Sequence, residues 1–384
     1  MAAYGNRQGI VFRRQRPGCQ QCLYNPLQRI FFSFLLLILM LMMAGCATEG
    51  TTQKEPTCPA IRSLIGSGST FDYPLFSKMF REYLKVPCGL TVNYHAVGSG
   101  TGINDLLQQR VDFAASDSPL SDQQLALSKW GNVLHIPVTL GIIAMTYNLP
   151  GLAGPLKLTG PLIAEIYLGH ITSWDDPALT AINPRLKLPH LPIVVVHRTD
   201  GSGTTDIFTQ YLADVSRTWK TTIGSGITVS WPQGKGGSGN AATANLVKQT
   251  PGALGYNEMT YVVANFLPYA LIENKAGRYL EPSLDGARAA TNVSEIPTDM
   301  RLYIVNEDDK DAYPISGFSW VLVYQDQPDA QKGQALAHLL WWMLHDGQQY
   351  ATALIYASLP PSVVTKGEQQ IKKMRCGPKL TQCE

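Results

Sequence analysis

Two periods organise the apolar and polar positions of this chain, and they alternate. From residue 60 the order is strand, Gly-rich turn, helix. Arg62–Ile65 reads as a short strand and GSGSTFDYP (66–74) as its turn. The next stretch sets Leu75, Phe76, Met79, Phe80, Tyr83 and Leu84 on one helical face. The plan repeats: Leu90–Val97 alternates as a strand, GSGTG (98–102) turns, and Ile103, Leu106 and Leu107 mark a helix. Val111–Ala115 is a buried strand that runs into Ser116-Asp117, and Ser121 or Asp122 caps a following helix. A third unit comes much later. There Ile193–His197 is a β-branched strand, RTDGSGTT (198–205) its turn, and Ile207, Phe208, Tyr211, Leu212 and Val215 a helix stripe.

Strands alternating with amphipathic helices predict parallel α/β sheets, whose ligands sit beyond the carboxyl ends of the strands. Two long apolar runs without turn signals, His135–Tyr147 and Tyr313–Tyr324, have the character of segments that carry the chain to a second domain and back. Residues 270–312 are polar and read as surface structure of that second domain. Near the C-terminus, Leu336, Leu339, Leu340, Met343 and Leu344 form a strong helix stripe, with Trp341 and Trp342 expected in the core.

The N-terminal pattern is different. Five arginines and no acid lie in residues 1–45, where a largely apolar run from Ile30 to Met43 precedes Ala44-Gly45-Cys46. That run is short for a spanning helix, and it suits an export signal whose small residues lead to a lipidated Cys46, with an ordinary signal or an N-terminal anchor helix as the alternative. Residues 47–57 read as a polar tether. The expected organisation is a signal over 1–45 and lipidated Cys46 with its tether to 59. One domain follows over 60–140 with 318–375, a second over 141–317, and a tail over 376–384. Export also changes the charge: setting aside five of the 31 basic residues leaves 26 against 29 acidic ones. Such a chain has no global field for nucleic acid, so any anion must be held by local donors.

Cys19 and Cys22 fall in the leader, which leaves Cys58, Cys88, Cys376 and Cys383 in an oxidising compartment. Cys58 and Cys88 each precede a strand of one βαβ unit, hence share one sheet end. This favours Cys58–Cys88 and Cys376–Cys383 pairing, with free thiols as the alternative.

The three turns share one chemistry. Glycine lets backbone N–H groups approach a ligand, the helix start adds unpaired donors, and Ser and Thr add neutral hydroxyls. Arg198 ends its strand where its planar fork can grip an oxyanion, and Asp200 can fix that guanidinium. Asp117 follows a buried strand. A carboxylate in an anion site repels its ligand unless the anion brings a proton to share, so it would admit hydrogen phosphate and reject sulfate. A fourth turn, GKGGSGN (234–240), is expected to be structural. Catalytic patterns are missing: there is no G-x-S-x-G elbow or P-loop, and no H-x-H or H-E-x-x-H among seven histidines. His338 and His345 lie seven apart on one helix face without an obvious third ligand, and His197 faces away from Arg198. Neither a metal nor a cofactor is expected.

At GSGSTF, VGSGTG, DFAASDSPLS and VVHRTDGSGTT the chain resembles the phosphate-binding subunit of the bacterial phosphate ABC importer, the PstS-type periplasmic phosphate-binding proteins. LGHITSWDDPALTAINP, WPQGKGGSGN, TPGALGYNE and YASLPPSVV extend the resemblance over nearly all the chain after residue 60. It implies a periplasmic-binding-protein type II fold, two α/β domains joined by two crossover strands, with phosphate buried in the cleft between them. The implied ligands are the Thr70 hydroxyl, the Phe71 N–H, Ser99, Asp117 as acceptor of the phosphate proton, Arg198, Ser202, the Gly203 N–H and Thr204. Asp200 would pair with Arg198. The implied partners are inorganic phosphate and a membrane permease with its ATPase subunit, the receptor being a monomer held at the periplasmic or cell-surface side. A secreted phosphatase on the same fold is the alternative.

Overall fold

The computed structural model describes residues 58–293 and 295–383. The expected signal, Cys46 and most of the tether lie outside them. Among the described residues no helix is long and apolar enough to cross a membrane.

Eight strands form one sheet: β1 (Ser63–Gly68), β2 (Thr91–Ala96), β3 (Phe113–Ser116), β4 (Val133–Tyr147), β6 (Val194–Arg198), β7 (Lys235–Gly237), β8 (Ala253–Glu258) and β11 (Ser316–Tyr324). Their order is β2-β1-β3-β11-β4-β8-β6-β7. β5 (Lys157–Leu158), β9 (Leu271–Glu273) and β10 (Tyr279–Leu280) make a small second sheet. β12 (Asp326–Gln327), β13 (Arg375–Cys376) and β14 (Thr381–Gln382) make a third, so the C-terminal tail is a sheet edge. The helices that matter below are α1 (Tyr73–Tyr83), α2 (Ser99–Leu107), α3 (Gly203–Val215), α4 (Gly239–Gln249), α5 (Met259–Ala264) and α6 (Ala330–Leu344).

The two long apolar runs are β4 and β11, buried along their whole lengths and paired antiparallel in the middle of the sheet. β3 joins β11 at Trp320–Leu322, whereas β8 joins β4 at Ile143–Tyr147. The two parallel groups, β2-β1-β3 and β8-β6-β7, therefore attach to different stretches of one central ribbon. Pro137 sits within β4, where a central strand normally excludes proline because it cannot donate to the ladder. The register slips at that point, from Ser319↔Thr139 to Trp320↔Pro137, and this bulge accommodates the missing N–H.

β1 extends further than its glycines suggest. Gly66, Ser67 and Gly68 remain in the ladder, pairing with β2 and β3, and a Cβ on Gly66 would lie 2.2 Å from the Phe113 ring. Glycine here serves close packing rather than a turn. The C-terminal helix ends at Leu344 and continues as a 3-10 turn, Asp346–Tyr350. Trp342 is buried, but Trp341, also expected in the core, is exposed and stacks on His345 with ring centroids 4.5 Å apart. Disulfides join Cys58 to Cys88 and Cys376 to Cys383.

Candidate functional site

The carboxyl ends of β1, β2, β3, β6 and β7 all open into turns, and these turns meet. After β1, Ser69 is fully buried; its hydroxyl accepts from the Phe71 N–H (2.9 Å) and donates to Asp117 Oδ1 (2.5 Å). Three tyrosines hold this turn by its carbonyls. Tyr94 donates to Ser69 O (2.8 Å), Tyr261 to Thr70 O (2.6 Å) and Tyr356 to Phe71 O (2.5 Å). With its carbonyls occupied, the turn presents its remaining groups toward the other turns.

Each hydroxyl in the expected set has lone pairs engaged by protein N–H groups, which leaves its own proton to give. Thr70 Oγ1 accepts from Asn240 N (3.2 Å) and Nδ2 (3.0 Å). Ser202 caps α3 by accepting from the Thr205 N–H (3.1 Å), and Ser99, first residue of α2, lies 3.4 Å from the Asp117 N–H. Thr204 Oγ1 receives Arg198 Nη1 (3.5 Å) and Asn240 Nδ2 (3.3 Å), and its proton is directed to Asp117 Oδ2 over a long 3.4 Å, a weak commitment that a ligand can displace. The approach between turns is close: a Cβ on Gly203 would lie 2.7 Å from Asp117 Cβ, its backbone N and Ser99 Oγ. No other residue fits there, so the first residue of α3 must be glycine.

Arg198 ends β6, only 3% exposed, with its backbone N–H on the Tyr256 hydroxyl (3.1 Å). Its Nε donates to Asp200 Oδ1 (2.7 Å) and its Nη2 to Asp200 Oδ2. Burial works against the Asp200 charge, but the Arg198 bonds outweigh it and hold the carboxyl below its usual range. The guanidinium is thus locked by one carboxylate on one edge, leaving Nη1 toward Thr204. Asp117, 1% exposed, is pushed up to about 6 by burial, opposed by hydrogen bonds from Ser69, Ser319 and Thr204 and by the charge of Arg198.

Thr70, Ser99, Asp117, Arg198, Asp200, Ser202, Gly203 and Thr204 therefore come together, while the Phe71 N–H is directed at Ser69 Oγ. The fourth turn, expected to be structural, belongs to this cluster: the Gly239 N–H donates to Asp200 Oδ1 (3.0 Å) and Asn240 links Thr70 to Thr204. Its Gly-Ser-Gly composition, matching the other three, was the available signal. Ser69 lay within a turn already singled out. Ser319, from β11, carries no local signal; its hydroxyl lies 3.0 Å from Asp117 Oδ1. Two further buried carboxyls, Asp72 and Glu258, adjoin the cluster, and burial pushes both up, Glu258 to about 8.

The histidines stand apart. His197 stacks on Trp231, His338 meets the Tyr83 hydroxyl (2.7 Å), and His345 pairs with Glu368 (3.1 Å). Among the described residues no group of three or more His, Cys, Asp or Glu could hold a metal.

Residues 47–346 match the model of the PBP superfamily domain. The phosphate-binding protein PstS of Xylella fastidiosa (strain 9a5c) is 36% identical over 329 residues, 84% of this chain and 89% of its own length. The phosphate-binding protein PstS of Haemophilus influenzae is 38% identical over 315 residues, 81% and 92% respectively. Among solved structures, the phosphate-binding protein of Stenotrophomonas maltophilia shares the fold with a TM-score of 0.63 at 18% identity, covering 80% of this chain and 94% of that one. PfluDING, a high-affinity periplasmic phosphate-binding protein solved with phosphate, has a TM-score of 0.64 at 20% identity, with 79% and 92% covered. With a type II arrangement of two α/β halves on a shared central ribbon, the chain belongs to the PstS family of phosphate-binding proteins.

Proposed function

We propose that this protein binds inorganic phosphate outside the cytoplasm and delivers it to the permease of an ATP-driven phosphate importer. The observation that carries this reading is Asp117, a buried carboxylate ringed by hydroxyl donors, facing an arginine already engaged by Asp200. Many neutral donors in a closed site can hold a dianion without a matching positive charge. Thr70, Ser99, Ser202, Thr204, Arg198 and the Gly203 N–H would donate to the phosphate oxygens, and the Phe71 N–H would join them only by leaving Ser69 Oγ. Asp117 Oδ2, whose one hydrogen-bond contact among the described residues is long, would accept the proton that hydrogen phosphate carries and sulfate lacks.

The arrangement supports residues 60–140 with 318–375 as one lobe and 141–317 as the other, closing through β4 and β11. The leader pattern supports export and a lipid anchor at Cys46, with the receptor acting as a monomer. No observation favours the phosphatase reading. Asp117→Asn is expected to weaken sulfate exclusion by a larger factor than it weakens phosphate binding. Isothermal titration with each anion measures both, and unchanged discrimination would remove Asp117 from that role. Turnover of a chromogenic phosphate ester that disappears with Ser202→Ala would replace the receptor by an enzyme.

A further inference from the structure

Asp72 occupies the N-cap of α1 but caps nothing. An aspartate there ordinarily accepts from the backbone of the first helical turn, yet no such bond exists. The side chain is fully buried, and its Oδ2 lies 2.5 Å from Ser319 Oγ. Its Oδ1 has no hydrogen-bond partner among the described residues. Ser319 Oγ in turn lies 3.0 Å from Asp117 Oδ1 and 3.3 Å from Ser116 O. One serine hydroxyl has one proton, so it cannot serve three acceptors.

Charge decides which acceptor receives it. The titratable groups whose charge couples to Asp72 are Asp117, Glu258, Tyr94, Tyr261 and Tyr356, and among the described residues Arg198 acts on Asp117 and Tyr261 but no cation acts on Asp72. Burial keeps the three phenols neutral. An ionised Asp72 would thus face other carboxyls with no cation beside it, and through its shorter contact it would claim the Ser319 proton. With the proton on Asp72 the conflict disappears: Asp72 Oδ2–H donates to Ser319 Oγ, and the Ser319 proton goes to Asp117 Oδ1. Burial and then repulsion from Asp117 both push Asp72 well above the ordinary carboxyl range, in keeping with this arrangement.

We propose that Asp72 is a positioning residue for phosphate selectivity: it holds a proton on Oδ2 and, through Ser319, fixes Asp117 as an ionised acceptor whose Oδ2 is presented to the ligand. Asp72 and Asp117 then carry one negative charge between them. The Ser69 and Ser319 donors saturate Asp117 Oδ1, and the other oxygen is reserved for the proton of hydrogen phosphate. This rests on the phosphate reading of the cleft for its ligand, though not for the proton on Asp72.

The test compares the purified wild-type protein with Asp72→Asn, Asp72→Ala and Ser319→Ala. Phosphate is titrated from about pH 5 to 9 with sulfate as competitor, a span that brackets the ordinary and raised carboxyl ranges. The Asn amide can replace the acid as a donor to Ser319. Asp72→Asn is therefore expected to keep phosphate affinity within about threefold, with an unchanged acid limb and intact sulfate exclusion. Asp72→Ala and Ser319→Ala are each expected to lose about tenfold in affinity and to move the acid limb to higher pH, because Asp117 loses an oriented donor. On ligand-free protein carrying isotope-labelled aspartate, a protonated-carboxyl infrared band at neutral pH should vanish in Asp72→Asn. An acid limb that moves down by about a unit in Asp72→Asn would mean a charge had been removed, and would overturn the proposal. So would a missing band, or an Asp72→Ala profile identical to wild type. Failure of wild type to bind phosphate would instead fell the functional reading, while the infrared result would still decide the proton on Asp72.

Discussion

Glu258, the last residue of β8, has no solvent access; its carboxylate oxygens accept from the Thr260 N–H at 2.9 and 3.0 Å. Burial raises its pKa from 4.5 to about 8. Below the lower value both folded and unfolded chains hold the proton. Between the two values the unfolded chain releases a proton that the folded protein keeps, so stability falls as pH rises, by up to about 1.4 kcal/mol per pH unit. Glu258→Gln cannot titrate and retains an amide oxygen for the Thr260 N–H. The variant is therefore expected to gain on wild type from pH 5 to pH 8, read as a widening gap between urea midpoints; parallel pH profiles would show that Glu258 ionises normally. Glu258 also marks a limit of sequence reading. Arg198 and Asp117 were legible because the first ends a strand before a Gly/Ser turn and the second follows a buried strand between two serines, and local chemistry suffices to single them out. Glu258, Asp72 and Ser319 acquire their roles from residues far along the chain, Ser319 lying 202 positions from Asp117.

At the scale of elements, the recurring strand–turn–helix unit was legible from periodicity, and the site follows from it because parallel strands bring their turns to one end. What the pattern did not show was that the fourth repeat meets the other three. Its strand, β7, has only three residues, Lys235–Gly237, too short to announce itself, and it pairs with β6 at Val196–Arg198. That pairing sets the start of α4 beside Arg198, with Gly239 on Asp200 and Asn240 across Thr70 and Thr204. Asn240 thereby orients two hydroxyls expected to donate to phosphate. Removing its side chain leaves Thr70 Oγ1 with the backbone N–H of residue 240 and Thr204 Oγ1 with Arg198 Nη1 as their remaining donors, so both hydroxyls are less firmly oriented. Asn240→Ala is expected to weaken phosphate binding by about ten- to a hundredfold, in line with two lost buried hydrogen bonds at about 1 kcal/mol each or somewhat more. Calorimetric titration checks this, and affinity within about twofold of wild type would return the fourth turn to a structural role.

Across the whole molecule, the central β4/β11 ribbon is continuous, so opening the cleft must break contacts elsewhere than in the sheet. One such contact is well defined. Ser118, two residues beyond β3, donates to Asp206 Oδ2 on α3, and the Tyr303 hydroxyl donates to the same oxygen at 2.6 Å. Arg301 adds a second tie, from Nη1 to Leu120 O (3.0 Å) and Asp122 Oδ1 (2.7 Å). Both ties join the segment after β3 to residues of the opposite half, and neither lies among the expected phosphate ligands. Asp206 is 2% exposed and burial raises its pKa, so it relies on these hydroxyls where it stands. The Ser118 bond forms only when the halves meet, and it should hold the closed form without helping the ligand find the open one. Ser118→Ala is accordingly expected to speed phosphate release by about three- to tenfold, the equivalent of one hydrogen bond, with the association rate little changed. Stopped-flow displacement of bound phosphate measures the first and direct mixing the second. If the association rate falls while release stays constant, the Ser118–Asp206 bond shapes the open site and does not latch the closed one.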